Sequence, residues 1–270
     1  MPVWLRTTLR LTPIVAGVSG LAVVGLVIVR QVVPIDELRA SNDALGNYLQ
    51  TVGGIYAVLL AFIVYVVWGQ FNDARGYVER EATALVDLHR TVSGLPTATR
   101  IEIQRELRSY VDAVLADEWE AMARGDEELI ERVGERLDHV WVAIHRCQPA
   151  SECQHTVYGE VVSRFNDLTD MRTSRLTASR SRIPIAMKIL VYFGAVIMIG
   201  SMWLLGFEQL WLHALVTAAL AGAVAHILFL ILDLDDAFAG DLQVAKAPFF
   251  RARKHFDRAT HGIDVIAPAA

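Results

Sequence analysis

The sequence predicts an all-α membrane protein with four transmembrane helices and a helical insertion between the second and the third. Three observations predict this class. Four apolar runs reach the length of about 20 residues that a helix needs to cross a bilayer, at residues 13–33, 49–69, 183–207 and 210–232. The mean hydropathy of +0.37 is too high for an average soluble domain. Between the two pairs of runs, apolar positions recur every three or four residues, which is the period of an amphipathic helix.

The first apolar run is preceded by Arg6 and Arg10, and this beginning resembles the positively charged start of a signal peptide. No small-residue cleavage site follows it, and the run ends at Arg30 and Pro34 instead. We interpret it as an uncleaved span whose Arg30 side chain extends to the membrane interface.

The second run continues without a proline into a polar, amphipathic helix that begins near Asn72. Its small residues allow helix backbones to approach closely, at Gly53, Gly54, Ala57 and Ala61. Packing against the other spans is the simpler interpretation of this stripe. The uninterrupted helix itself, which continues rigidly out of the membrane, is suited to couple a pore to a soluble domain.

Residues 1–69 thus form one transmembrane hairpin, and residues 183–232 form another, with only Glu208 and Gln209 between its two spans. The pattern of residues 70–182, which lie between the two hairpins, predicts helices throughout, with a break at Gly125-Asp126. Residues 233–270 form an acidic turn and a basic tail. Basic residues flank the spans on the side of the termini and of the insertion, whereas only Arg30 and Arg39 lie on the other side. The positive-inside rule therefore places both termini and the insertion in the cytoplasm.

Composition excludes several classes. The net charge of −5 argues against a nucleic-acid partner, and the 2 cysteines do not make a disulfide framework. No Ser/His/Asp arrangement, phosphate-binding glycine loop or H-E-x-x-H motif is present. We therefore expect neither an enzyme nor a cofactor. The carboxylates beside Trp119 are Asp117, Glu118 and Glu120. On a helix, Asp117 and Glu120 share a face with Arg124 nearby, which predicts an ion-paired surface rather than a catalytic carboxylate pair.

Three groups remain as candidate sites. His145, Cys147, Cys153 and His155 are ligand types that zinc accepts, but their spacing matches no common zinc finger, and free thiols or a disulfide formed on oxidation are favoured. His213 and His226 lie within the last span, where ionisable groups are functional candidates. His226 follows Ala214, Ala218 and Gly222 at four-residue steps, which predicts a packed helix face, with lining of a water path as the alternative.

The acidic turn holds Asp233, Asp235, Asp236 and Asp241. We expect these carboxylates to pair with neighbouring arginines at the end of a helix. Calcium is a weak alternative, since the EF-hand spacing and its closing Glu are missing.

Short motifs in the second span and in the acidic turn match a known family pattern. Residues Leu60-Ala61-Phe62, Trp68, Phe71 and Asp73-Ala74-Arg75 align without a gap with the bacterial bestrophin pattern of a pore helix ending in L-G-F and leading to Y-x-R-W-W-E-A-R. Asp236-Ala237-Phe238 and Asp241 resemble the segment N-P-F-G-x-D. The whole chain is similar to the uncharacterised bacterial bestrophin-like family, on the stretches Gly54 to Phe62, Glu81-Ala82-x-Ala-Leu, Asp117-Glu118-Trp119 and Leu168-Thr169-Asp170-x-Arg172.

The resemblance implies an ion channel in the bacterial inner membrane. It would be a homo-oligomer, pentameric in bestrophins, surrounded by lipid and passing inorganic ions through a pore lined by the second span. By position, the hydrophobic neck would comprise Gly54, Val58 and Phe62. The chain departs from the pattern at Ile63 and Val64, which replace polar residues, at Phe71-Asn72, which replaces the double Trp, and at Ala237, which replaces the Pro of N-P-F. The alternative function is a non-conducting membrane adaptor or sensor that binds a cytoplasmic partner.

Overall fold

The computed structural model describes the backbone of residues 3–266 and the side chains of residues 7–259. Every regular element in this range is helical, which confirms the all-α prediction. The helices are α1 (Val3–Val32), α2 (Ile35–Ala40), α3 (Asn42–Thr91), α4 (Thr97–Ala113), α5 (Trp119–Arg124), α6 (Glu127–His145), α7 (Glu152–Arg180), α8 (Ile185–Trp203), α9 (Leu210–Leu234) and α10 (Ala247–Ile266). A 3₁₀ turn at Val92–Gly94 follows α3, and a π-helical turn at Val114–Glu118 joins α4 to α5.

Four helical segments are long and apolar enough to cross a membrane. They are Thr7–Val32, Asn42–Gly94, Glu152–Trp203 and Leu210–Leu234, and the apolar windows in them have mean hydropathies of 2.1 to 2.4. The chain is therefore a membrane protein. It divides into two compact units, the membrane unit (Met1–Gly69, Arg182–Asp235 and Gly240–Leu242) and the insertion unit (Gln70–Ser181, Asp236–Ala239 and Gln243–Ala270).

Close backbone approach holds α1 against α9 in the membrane unit. Ser19 Oγ donates to the carbonyl oxygen of Ala218 at 3.0 Å. Gly222 faces the same residue, and a Cβ added to this glycine would lie 3.0 Å from Ser19 Oγ. Small residues and interhelical hydrogen bonds stabilise such contacts, because lipid offers helices no hydrophobic reason to associate.

Two aromatic side chains join α8 to its neighbours. Trp203 Nε1 donates to the carbonyl oxygen of Ala22 at 2.9 Å, and its ring covers Gly25. Tyr56 on α3 donates from its hydroxyl to the carbonyl oxygen of Val191 at 3.0 Å. The Tyr56 ring fills the space beside Gly194, where an added Cβ would lie 2.5 Å from ring carbons. Each aromatic ring therefore requires a glycine opposite it.

The insertion unit has a core of large side chains from α3, α4, α5, α6, α7 and α10. Trp119, which is 2% exposed, makes edge-to-face contacts in this core with Phe238 and Phe249, at centroid distances of 5.4 and 6.0 Å. The predicted break at Gly125-Asp126 is confirmed. Gly125 ends α5 in the left-handed region at φ 69°, and Asp126 caps α6 by accepting the Leu129 N–H at 3.1 Å.

Candidate functional site

The membrane part of α3 has two opposite faces. Tyr56, Leu60, Ile63 and Val67 recur every three or four residues and are at most 7% exposed, since they pack within the membrane unit. At about 100° per residue, Gly54, Val58 and Phe62 fall on the other side of the helix. Val58 is 71% exposed and Phe62 52% exposed, and Gly54 is exposed as well. In a single chain, the three predicted pore residues thus share a face that no other described helix covers.

The small-residue stripe of α3 packs within the chain at one position. An added Cβ on Gly53 would lie 3.3 Å from the terminal carbon of Met198 on α8, whereas nothing lies within 4 Å of Gly54. Ala57 and Ala61 are exposed. Within this chain, the stripe therefore packs against another span only at Gly53, because the helix turns its larger apolar residues toward α8.

Further along α3, Trp68 is 54% exposed. Phe71 is half-buried and packs against the core of the insertion unit. The two aromatic residues that resemble the bestrophin pattern therefore have different surroundings, and of these two only Trp68 is exposed to the degree of the predicted neck residues.

The two histidines of α9 have different environments. His213 is fully buried, with Nε2 2.8 Å from the carbonyl oxygen of Met202 and its ring stacked on Phe207. His226 is exposed, so the prediction that it lies on the packed face is wrong. Steps of four residues drift about 40° around a helix, and this drift carries His226 away from the face on which Gly222 contacts α1.

The acidic turn uses its carboxylates to hold the backbone. Asp233 accepts the Asp241 N–H at Oδ1 and the Leu242 N–H at Oδ2, each at 3.0 Å. Asp235 accepts the Ile183 N–H and pairs with Lys188, both at 2.6 Å.

The remaining two aspartates have different partners. Asp236 accepts the N–H groups of Phe238 and Ala239, each at 3.2 Å. The predicted pairing with an arginine is found at Asp241, whose Oδ1 lies 3.2 Å from Arg10. Within residues 7–259, no group of three or more His, Cys, Asp or Glu side chains is arranged to hold a metal ion.

That finding covers the histidine and cysteine loop as well. Cys147 is buried and Cys153 is exposed, and both are free thiols. His145 packs against Trp141 at a ring distance of 5.4 Å. The interpretation of this loop as free thiols, or as a disulfide formed on oxidation, stays a prediction.

A buried ionic cluster, which the sequence did not predict, lies in the insertion unit. It comprises Glu81 of α3, Tyr110 of α4, Glu118 of the π-helical turn, and Arg172 and Arg175 of α7. Glu81, Tyr110, Glu118 and Arg175 have no exposed surface. Two carboxylates and two guanidinium groups balance in charge, which makes their burial possible.

Arg175 is the centre of this cluster. Its Nε donates to Glu81 Oε2 and its Nη2 donates to Glu118 Oε2, both at 2.6 Å. Tyr110 donates its hydroxyl to Glu81 Oε1 at 2.5 Å. Arg172 donates from Nη2 to Glu118 Oε1 at 2.5 Å and to the Ile130 carbonyl at 2.9 Å. Five helical segments, α3, α4, the π-helical turn, α6 and α7, are therefore joined by one hydrogen-bonded network.

The cluster shifts the titration of its members. Burial raises the pKa of Tyr110 well above its usual value, and the charges of Glu81 and Glu118 add to this effect. Burial alone would lower the pKa of Arg175, but those two carboxylates outweigh it and the pKa is raised well above its ordinary value. The tyrosine therefore stays neutral and the arginine stays charged across the physiological range.

The π-helical turn positions Glu118 for this network. A π turn widens the helix and redirects the residues that follow it. The Leu115 carbonyl in this turn accepts a hydrogen bond from Lys246 Nζ at 3.2 Å. The predicted ion pair of the same region is present at Glu120 and Arg124, at 3.5 Å on the surface, whereas Glu118 faces the core. Glu81, Glu118 and Arg172 each lie in one of the stretches that resemble the bestrophin-like family. This resemblance is the sequence feature that could have drawn attention to the ionic cluster.

Comparison with known proteins gives a consistent result. The sequence model of the Bestrophin-like domain matches residues 16–249. A crystal structure of a bacterial bestrophin homologue from Klebsiella pneumoniae superposes with a TM-score of 0.71 at 14% identity, covering 91% of this chain and 98% of that one. A point-substituted form of that homologue gives 0.67 at 14% identity, over 95% and 99% of the two chains. No curated protein sequence matches the chain.

Proposed function

This chain belongs to the Bestrophin-like family, and we propose that it is the subunit of an oligomeric ion channel whose pore is lined by α3. Ion channels occur among proteins of this family and fold. The observation that carries the proposal is the uncovered face of α3 with Gly54, Val58 and Phe62, in which Val58 is 71% exposed and Phe62 52% exposed. Copies arranged around an axis would bring these faces together.

Such a ring would form a hydrophobic neck. Apolar side chains that narrow a pore can close it by dewetting, without a physical plug. Ile63 and Val64, which stand where the bestrophin pattern has polar residues, contribute little to this face, because Ile63 is 1% exposed and Val64 is half-buried. Ile63 belongs to the opposite side of α3, where it packs within the membrane unit.

The oligomer would be a homo-oligomer, a pentamer by analogy with bestrophins, in the inner membrane of a bacterium. Both termini and the insertion unit would lie in the cytoplasm, in accordance with the excess of Arg and Lys that flanks the spans on that side. The permeant species would be an inorganic ion.

The alternative is a non-conducting adaptor or sensor that binds a soluble partner through the insertion unit. An open groove of about 640 Å³ between α6 and α7 favours this alternative. It would need no pore, and the exposed face of α3 would then contact lipid alone.

Two measurements on the purified protein separate these functions. Native mass spectrometry in detergent should give a single closed oligomer, and proteoliposomes should pass ions. Only monomers across a range of detergents would contradict the channel. A soluble protein that co-purifies in fixed stoichiometry, together with an absence of flux, would establish the adaptor.

A further inference from the structure

The groove of the insertion unit has one acidic wall. Glu131, Glu135 and Asp138 line it from α6, and all three are exposed. The facing wall on α7 offers Thr169 and Thr173 at this level. Since both are neutral, this half of the groove carries three negative charges.

The arginines that border the groove are already bound. Arg172 donates to Glu118 and to the Ile130 carbonyl, at 2.5 and 2.9 Å. Arg180 donates from Nε to Glu127 at 2.9 Å, at the other end of the groove. Within residues 7–259, no basic side chain pairs with Glu131, Glu135 or Asp138, so these carboxylates are available to cations from outside the groove.

A basic stripe of matching length lies on α10 of the same unit. Arg251, Lys254 and Arg258 are exposed and share one face of that helix. Arg251 is 62% exposed although it pairs with Glu79 at 2.6 Å, and its guanidinium group has further donors. Like the acidic wall, this stripe faces solvent in the single chain.

The two stripes match in spacing when the helices run antiparallel. On α6, Asp138 and Glu135 are three residues apart, and Glu135 and Glu131 are four apart. On α10, Arg251 and Lys254 are likewise three residues apart, and Lys254 and Arg258 are four apart. At about 1.5 Å per residue, each carboxylate would lie opposite one cation.

We propose that the acidic wall of one subunit binds the basic stripe of α10 from a second copy of this chain. This inference rests on the proposed oligomeric channel. In a closed ring, each contact joins two different patches, so each subunit must carry one patch of each kind. The acidic wall and the basic stripe are such a pair, and every subunit gives one and receives the other.

Disulfide crosslinking of the full-length protein in membranes tests the contact. In a background in which Cys147→Ser and Cys153→Ser remove the native thiols, Glu135→Cys combined with Lys254→Cys should yield a ladder of linked subunits on oxidation. The matched control is Glu160→Cys with Lys254→Cys, because Glu160 is exposed on the opposite face of α7. We expect no ladder from the control.

A charge exchange gives a second, independent readout. Glu131→Lys with Glu135→Lys, or Lys254→Glu with Arg258→Glu, should make the oligomer dissociate at lower temperature in low salt, because like charges then face each other. All four substitutions together should restore the wild-type temperature.

The outcomes separate the two proposals. An intact oligomer by native mass with no ladder above the control, and no restoration by the charge exchange, would overturn the subunit contact and leave the channel standing. Monomers only would contradict both. Binding of a soluble protein in this groove, lost on Glu131→Lys with Glu135→Lys while the oligomer is unchanged, would also overturn it.

Discussion

Arg175 of α7 and Glu81 of α3 form a salt bridge of 2.6 Å in which neither side chain has any exposed surface. A second carboxylate, Glu118, lies at the same distance from Arg175. Removing one partner of a buried pair leaves an uncompensated charge, and this costs more than the pair itself contributes. The cluster therefore ties α3 to α7 at a position where substitutions are costly.

We predict that Arg175→Met lowers the free energy of unfolding by about 3–5 kcal/mol. The substitution leaves Glu81 and Glu118 buried with too little positive charge. Urea unfolding of the full-length protein in detergent measures the change. Arg180→Ala is the matched control on the same helix, since its ion pair with Glu127 is exposed and should contribute little. Equal stability of the two variants would contradict this role of the cluster.

A companion variant separates charge from packing. Glu81→Gln, Glu118→Gln and Arg175→Met together remove three of the four charges of the cluster and leave Arg172, which is partly exposed and still bonds the Ile130 carbonyl. They should recover part of the loss caused by Arg175→Met alone. A triple variant less stable than the single one would show that shape, rather than charge, dominates at this position.

Acid should loosen the contact between α3 and α10. His89 is buried and stacked on Phe256 at 4.4 Å. Burial lowers the pKa of His89 from 6.5 to about 4, with further contributions from His255, Arg108 and Arg90. Asp257 of α10 pairs with Arg108 and offsets only part of this positive charge.

The sign follows from proton linkage. Below pH 6.5 the unfolded chain binds a proton at His89 and the folded protein does not, so the free energy of unfolding falls as the pH drops toward 4. Above pH 6.5 the contribution of neutral His89 to stability is fully present. Thermal unfolding at several pH values measures this slope. His89→Gln should make it shallower, whereas the exposed His155→Gln should not. An unchanged slope in His89→Gln would assign the acid sensitivity to another group.

Gly194 of α8 should tolerate no side chain. A Cβ at this position would lie 2.5 Å from ring carbons of Tyr56, so Gly194→Ala must displace that ring and its hydrogen bond to Val191. We expect a lower midpoint of thermal unfolding in detergent. Gly200→Ala on the same helix is the control, because nothing lies within 4 Å of that position. If both variants unfold at the wild-type midpoint, α8 and α3 are not packed in this way.

Periodicity and hydropathy were sufficient to predict the helical class and the four apolar segments, because both depend on residue order along one helix. The break at Gly125-Asp126 was predictable for the same reason, since a left-handed glycine followed by a capping aspartate is a local signal. The exposure of His226 was not predictable in this way, because residues at four-residue steps drift around a helix and leave the face on which they began.

The buried ionic cluster illustrates what a pattern within one helix leaves out. Glu118 stands in an acidic run and has the sequence context of a surface residue, and only the π-helical turn directs it toward Arg175. Its partner Arg175 lies 57 residues later in the sequence. Glu81, which binds the same arginine, lies 37 residues earlier. Such pairing depends on tertiary packing.

Ion flux through proteoliposomes, with two pairs of matched variants, tests the central proposal most directly. Phe62→Ala and Val58→Ala remove bulk from the proposed neck on α3. Phe193→Ala and Val196→Ala remove the same groups from the exposed surface of α8, where the side chains are 61% and 69% exposed. We predict that flux rises in the two α3 variants and stays at the wild-type level in the two α8 variants. Equal flux in all four folded and correctly oriented variants would contradict a pore lined by α3.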